Sequence, residues 1–138
     1  MAYFIGVVVA LGVALFAMLV GLDRDRAFYS TVTIVVASYY VLFAAMGGSG
    51  HAMVLESIVM AGFVTAAVIG FKKSEWILVA ALAGHGVFDA LGGNVIENPG
   101  VPAWWPAFCG SYDVVAAACL AWIIVRRPGA VAKPGYPS

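Results

Sequence analysis

The sequence predicts an all-α transmembrane bundle of five helices, and three observations support this prediction. The chain has 138 residues, of which 64% are hydrophobic and only 10% are charged, too few polar side chains for a soluble domain of this size. Its apolar residues form five long runs, each near the roughly 20 residues that a helix needs to cross a bilayer. The runs lack the period-two alternation of barrel strands, so we expect helices.

Short polar connections separate the five predicted spans. The first run lacks the basic n-region of a secretory signal, so we expect it to be retained. Asp25 and Ser74 are expected to cap the second and fourth helices. Residues 1–127 then form one transmembrane domain, and residues 128–138, with three prolines, form a flexible cytoplasmic tail. The spans run from Tyr3 to Leu22, from Ala27 to Met46, from Ala52 to Phe71, from Trp76 to Gly93 and from Ala107 to Val125.

The basic residues predict an orientation for the bundle. The two connections on one side, residues 47–51 and 94–106, contain no Lys or Arg. An excess of basic residues marks the cytoplasmic side, so the N-terminus is predicted outside and the C-terminus in the cytoplasm of a bacterial inner membrane. All seven basic residues fall on the cytoplasmic side when the spans are threaded alternately: Arg24, Arg26, Lys72, Lys73, Arg126, Arg127 and Lys133.

The connection 94–106 is the only substantial loop of the predicted bundle. Three prolines stiffen it, and we expect it to lie along the membrane surface. Its Trp104 and Trp105 suit the headgroup layer, as Trp76 and Trp122 do near the opposite boundary. The alternative for Trp104 and Trp105 is a lid over a ligand pocket.

Small residues recur at four-residue spacing on three of the predicted helices. Such stripes let helix backbones approach closely, either inside the bundle or across a homodimer face. We expect most of them to pack the bundle against itself. The stripes are Gly6, Ala10 and Ala14, then Gly62, Ala66 and Gly70, and finally Ala80 and Gly84.

Ionisable side chains inside the spans indicate where a functional site would lie. An acid at the centre of a spanning helix costs about 2.5–3.5 kcal/mol on insertion scales, so it is expected to face protein or water. Counting about 1.5 Å of rise per residue places the polar groups of four helices in one slab of the outer half of the membrane. His85 and Asp89 are spaced i, i+4 and share a face. The pocket residues predicted from this slab are Tyr39, Tyr40, Glu56, His85, Asp89 and Asp113, with Cys109 one turn before Asp113.

Several interpretations of this slab are open. The first is acid–base chemistry on a bilayer-soluble substrate, with His85, Asp89, Glu56 and Asp113 as the catalytic candidates. The second is a metal ion, to which His51 could also contribute, although no tight motif such as HExxH is present. The third is a proton or cation relay, which lacks polar residues in the inner half of the helices. A purely structural role would stabilise by only about 0.6 kcal/mol per hydrogen bond, which hardly explains three buried acids.

A family resemblance rests on five segments of the sequence. The chain resembles an uncharacterised family of small multi-spanning bacterial inner-membrane proteins over nearly its whole length. This resemblance implies a location but no activity. The family pattern on the fourth helix is His-Gly-x-x-Asp-x-x-His, and Gly92 stands in place of the second histidine, which argues against a two-histidine metal site. The segments are residues 25–29, 37–40, Glu56, 85–89 and 98–102.

We therefore expect a polytopic inner-membrane protein whose pocket opens toward the periplasm or the outer leaflet and binds or acts on a small lipid-like ligand. In this hypothesis Asp89 orients His85, and Glu56 or Asp113 holds a proton. The alternatives are a non-catalytic subunit of a larger membrane complex and a metal-binding membrane protein. No cofactor can be predicted from the residues, and nothing in them indicates nucleic-acid binding. A homo-oligomer remains an open alternative. Tyr39, Tyr40, Cys109, Trp104 and Trp105 are the candidate ligand-binding residues.

Overall fold

Five helices form an up-and-down bundle in the computed structural model, which describes residues 1–92 and 95–127. No strand occurs among these residues, so the predicted all-α class is confirmed. Every helix begins and ends within two residues of its predicted span, and a short 3-10 turn at Leu22–Arg24 is added after the first. The tail predicted at residues 128–138 lies outside the described residues. The helices are α1 (Ala2–Val20), α2 (Arg26–Met46), α3 (Gly50–Lys72), α4 (Glu75–Gly92) and α5 (Trp105–Arg126).

The exterior of the bundle is apolar, as a membrane protein requires. Within the described residues, α1, α2, α3 and α5 are long and apolar enough to cross a membrane, with mean hydropathies from 1.6 to 2.7. On α1 the large side chains of Phe4, Leu11, Leu15 and Phe16 all point away from the other helices. Hydrocarbon, rather than water, is the surrounding that such a surface suits.

Side-chain caps fix where three of the helices begin. Asp25 Oδ1 accepts a hydrogen bond from the N–H of Ala27 at 2.9 Å, and Ser74 Oγ accepts one from the N–H of Trp76 at 3.3 Å. Both predicted caps are confirmed. Ser49 caps α3 in the same way. Each cap satisfies a backbone donor that has no partner within its helix.

The helices pack in an order that differs from their order along the chain. α1 packs on α5, α5 on α4, α4 on α3, and α3 on α2, which also touches α4. α1 and α2 are neighbours in sequence but have little contact beyond the turn that joins them. The space between them is a groove whose wall includes residues of α5.

Contacts at one end of the bundle bring distant parts of the chain together. The Arg127 guanidinium donates to the Glu75 carboxylate at 3.1 Å, which joins the end of α5 to the start of α4. It also donates to the backbone carbonyl of Asp23, just after α1. We call this the basic end, because the six described basic residues lie there: Arg24, Arg26, Lys72, Lys73, Arg126 and Arg127.

Some of the small residues in the predicted stripes are buried between helices, and others are exposed. The stripe that starts at Gly6 is buried against α5, as expected for packing inside the bundle. Ala80 and Gly84 on α4 are exposed, and so is Gly62 on α3. Packing inside the bundle therefore does not account for these three residues.

Gly6 and Gly12 give a matched test of how α1 packs. A methyl group at Gly6 would overlap the backbone carbonyl of Phe108, whereas nothing lies within 4 Å of a methyl group at Gly12. We expect Gly6→Ala to lower the unfolding temperature in detergent, because moving α1 away from α5 costs about 1–3 kcal/mol. Gly12→Ala should keep or slightly raise it, since alanine has the higher helix propensity. Circular dichroism on heating measures both, and equal melting of the two variants would contradict this packing.

Candidate functional site

Four ionisable or metal-binding side chains of α4 and α5 meet at one buried point. They are His85 and Asp89 of α4 and Cys109 and Asp113 of α5, and each is at most 3% exposed. One donor atom from each lies within 4.8 Å of the other three. We call these four residues the polar cluster. The i, i+4 spacing on each helix places both pairs on the faces that meet.

His85 lies between the two carboxylates of the polar cluster. Its Nδ1 is 2.6 Å from Asp113 Oδ2 and 3.5 Å from Asp89 Oδ2. The Cys109 thiol is directed at the same Asp113 oxygen, with 3.7 Å between sulfur and oxygen. The nearer partner of the imidazole is therefore Asp113, across the helix interface, and not Asp89, which the sequence analysis expected to orient it.

Of the two adjacent tyrosines on α2, Tyr40 contacts the polar cluster. Its buried hydroxyl donates to Asp89 Oδ1 at 2.6 Å. Tyr39 instead packs against Trp105 and Phe43, with ring centroids 4.9 and 6.3 Å apart. Adjacent residues point about 100° apart around a helix, so only one of the two can face α4.

Two glycines allow α4 and α5 to approach closely at the polar cluster. A Cβ atom at Gly86 would lie 3.0 Å from the carbonyl oxygen of Gly110, and one at Gly110 would lie 3.3 Å from Asp89 Cβ. These contacts are tighter than ordinary packing. Neither glycine was predicted to belong to the site, although each directly follows a member of the cluster, His85 or Cys109.

Two carboxylate oxygens of the polar cluster have no hydrogen-bond partner among the described residues. They are Asp89 Oδ2 and Asp113 Oδ1. Burying a charge is costly unless it is paired, and one imidazolium can balance only one carboxylate. The second carboxylate needs a proton or another cation. The cluster can therefore exchange protons or bind a cation.

Glu56 of α3 lies outside the polar cluster and beside a separate cavity. The cavity has a volume of about 350 Å³ and is lined by Tyr40, Glu56 and residues of the 95–104 connection. We call it the loop cavity. Asn98 Nδ2 donates to Glu56 Oε1 at 3.2 Å and to the backbone carbonyl of Tyr40 at 3.0 Å. Glu56 Oε2 is buried and accepts no hydrogen bond from the described residues.

The 95–104 connection enters the bundle instead of only lying on its surface. Asn98 reaches α2 and α3, and Gly100 sits so close to the carbonyl of Phe43 that a Cβ atom there would overlap it. Asn98 also accepts a hydrogen bond from the N–H of Gly100 at 3.2 Å. The Asn-Pro-Gly turn chemistry was visible in the sequence, but its docking partner was not. Glu97, next to Asn98, is exposed.

An apolar groove of about 520 Å³ opens between α1 and α2. We call it the lateral groove. Tyr39, Trp105 and Cys109 line it together with aliphatic residues of α1 and α2. The Trp105 Nε1–H is buried and has no acceptor among the described residues. Trp104 is exposed, and its ring and that of Trp105 form an edge-to-face contact.

The remaining candidates lie apart from the polar cluster. His51 is exposed at the start of α3 and is not grouped with any metal-binding side chain of the described residues. Cys119 forms no disulfide with Cys109, and both are free thiols. The histidine, both aspartates and the cysteine proposed from the sequence are thus brought together, whereas Glu56 and Tyr39 line neighbouring spaces.

No protein-family model matches this chain, and no curated protein or solved structure is significantly similar to it. Its class is therefore defined by fold and site. The chain is an α-helical membrane protein with a buried polar cluster between α4 and α5.

Asn98→Ala tests whether the 95–104 connection stabilises the buried acid. The variant leaves the Tyr40 carbonyl and Glu56 Oε1 without their Asn98 donor. We expect the free energy of unfolding to fall by about 1–3 kcal/mol, the usual cost of an unsatisfied buried group. Glu97→Ala, at an exposed neighbouring position, is the control and should change little. Thermal unfolding in detergent gives the comparison, and equal stability of both variants would argue against the Asn98 contacts.

Proposed function

We propose that this protein is a multi-pass inner-membrane protein that binds a small lipid-like molecule in the lateral groove, beside the polar cluster. The observation that carries this proposal is the groove itself. Its volume of about 520 Å³ falls within the roughly 300–1,000 Å³ of small-molecule sites. Its lining is mostly aliphatic and aromatic with a few polar groups, as such sites usually are.

Access to the groove supports a ligand that arrives from the bilayer. α1 and α2 have little contact along their length, so the groove is open at its side and not only at its ends. A molecule dissolved in the hydrocarbon could enter without crossing water. An apolar chain would lie against Val32, Val35 and Val36 of α2.

Polar groups at one end of the groove would recognise a headgroup. Trp105 offers a buried N–H donor without an acceptor, which suits a hydroxyl or carbonyl oxygen of the ligand. Tyr39 and Tyr112 also line the groove, and the Tyr39 ring packs against the Trp105 ring. Cys109 both lines the groove and contacts Asp113, so a bound headgroup would lie one side chain away from the polar cluster.

The location in an inner membrane and the orientation are part of the proposal. The six described basic residues share one end of the bundle, and the excess of basic residues marks the cytoplasmic side in bacteria. The 95–104 connection and the loop cavity then face the periplasm. The polar cluster lies in the periplasmic half of the membrane in this arrangement.

Val35→Trp tests the lateral groove. Val35 lines the groove and is 43% exposed, so the larger side chain can fill the groove without disturbing the core. We expect roughly tenfold less lipid retained per chain, equivalent to about 1.4 kcal/mol of binding free energy. Native mass spectrometry of the protein released from detergent measures the retained lipid. Val68→Trp is the control, at a position on α3 that is 44% exposed and does not line the groove. Equal retention by both variants would exclude the groove as a lipid site.

Reporter fusions to the full chain test the orientation. A green fluorescent protein after Ser138 should fluoresce, and alkaline phosphatase at the same position should be inactive, because the C-terminus is proposed to be cytoplasmic. Alkaline phosphatase joined through an added spanning helix that reverses its side is the control and should be active. Active phosphatase in the direct C-terminal fusion would reverse the proposed orientation.

A further inference from the structure

Two i, i+4 pairs of metal-binding side chains face each other across the α4–α5 interface. His85 and Asp89 come from α4, and Cys109 and Asp113 come from α5. We propose that these four residues bind one divalent transition-metal ion of the zinc class. The site shares only Cys109 with the wall of the lateral groove, and ion binding is a different activity, so the inference goes beyond lipid binding.

The donor set selects the class of metal. An imidazole nitrogen, a thiolate sulfur and two carboxylate oxygens are all zinc ligands, and four protein ligands suit its tetrahedral coordination. Sulfur and imidazole donors favour zinc, cobalt or iron over magnesium and calcium, which prefer oxygen. Helical bundles build metal sites in the same manner, with inward-pointing ligands from facing helices.

Two of the donor separations match those that zinc imposes, and all four donors lie within 4.8 Å of one another. A tetrahedral ion at about 2.0–2.3 Å from each ligand holds ligand atoms about 3.3–3.8 Å apart. The distance from His85 Nδ1 to Asp89 Oδ2 is 3.5 Å, and that from Cys109 Sγ to Asp113 Oδ2 is 3.7 Å. The 2.6 Å between His85 Nδ1 and Asp113 Oδ2 is a direct hydrogen bond, which the ion would replace.

Two carboxylate oxygens of the polar cluster that accept no hydrogen bond within the described part of the chain also indicate a cation. Asp89 Oδ2 and Asp113 Oδ1 are buried and accept no hydrogen bond from the described residues. A divalent ion would bind both aspartates directly, and with the Cys109 thiolate the site would carry one net negative charge. Binding would release the Cys109 thiol proton and any proton on His85 Nδ1, because both atoms bind metal only in their deprotonated forms.

Tyr40 is a positioning residue for this site. Its hydroxyl donates to Asp89 Oδ1, which leaves Oδ2 directed at His85. Hydrogen bonds of this kind to a metal-binding carboxylate typically raise metal affinity about 10–100-fold. Tyr40 also lines the loop cavity with Glu56, whose unpaired carboxylate oxygen would attract a cation on its way to the site.

Zinc binding is measured on the tag-free full chain in detergent, stripped with a chelator and dialysed against zinc chloride. Elemental analysis should find one zinc per chain, and His85→Ala or Asp113→Asn should reduce this to about one-tenth or less, in line with the loss of a ligand. His51→Ala removes the other histidine of the chain, which lies outside the polar cluster, and should retain the ion. Absence of stoichiometric zinc in the unmodified chain, or equal loss in His51→Ala and His85→Ala, would overturn the proposal.

Cobalt(II) in place of zinc reports on the sulfur ligand directly. The near-ultraviolet absorption of a cobalt–thiolate bond should disappear in Cys109→Ser and persist in Cys119→Ser, which changes the other cysteine of α5. Identical spectra of the two variants would overturn the assignment of Cys109.

A pair of variants that keeps all four donors tests the site without the risk that removal of a ligand unfolds the protein. Tyr40→Phe should weaken zinc binding at least about tenfold, and Tyr39→Phe, next to it but away from the polar cluster, should not. Equal affinities would remove the role of Tyr40. Failure of zinc binding and failure of lipid retention can be told apart, because Val35→Trp fills the groove without replacing any of the four donors, although Cys109 also lines the groove.

Discussion

The contact of α4 with α5 is the interaction on which the rest of this bundle depends. In hydrocarbon no water is available to solvate a carboxylate, so buried acids must find partners within the protein. Asp113 finds its partner across the interface, where its Oδ2 lies 2.6 Å from His85 Nδ1. Their meeting sets the rotation of both helices and thereby the positions of Asp89 and Cys109. Gly86 and Gly110 remove the side chains that would hold the helices apart.

The polar cluster connects to both spaces that could hold a ligand. Cys109 belongs to the cluster and lines the lateral groove, while Tyr40 donates to the cluster and lines the loop cavity. A third depression, between α1, α4 and α5, reaches Asp89. A compact set of buried charges thus borders spaces that open in different directions. In the proposed function, this arrangement would place recognition of an apolar molecule beside binding of an ion.

The helices were predictable from the sequence because span length and apolarity determine them almost alone. The shared face of His85 and Asp89 followed from their spacing by the same kind of local geometry. Which carboxylate approaches the imidazole, and which of two adjacent tyrosines turns inward, depends on the rotation of whole helices. The hydrogen bonds of Asn98 were not predicted, because its partners on α2 and α3 are more than 40 residues away in the chain.

Tyr40 forms hydrogen bonds through both its backbone carbonyl and its side-chain hydroxyl. Its backbone carbonyl accepts from Asn98 in the 95–104 connection, and its hydroxyl donates to Asp89 in the polar cluster. One rigid aromatic residue therefore couples a connection at the end of the bundle to charges in its interior. Displacing that connection would remove one hydrogen bond from the α2 backbone at the residue whose phenol reaches the carboxylate. Substitutions in the connection can thus change the chemistry of side chains that they never touch.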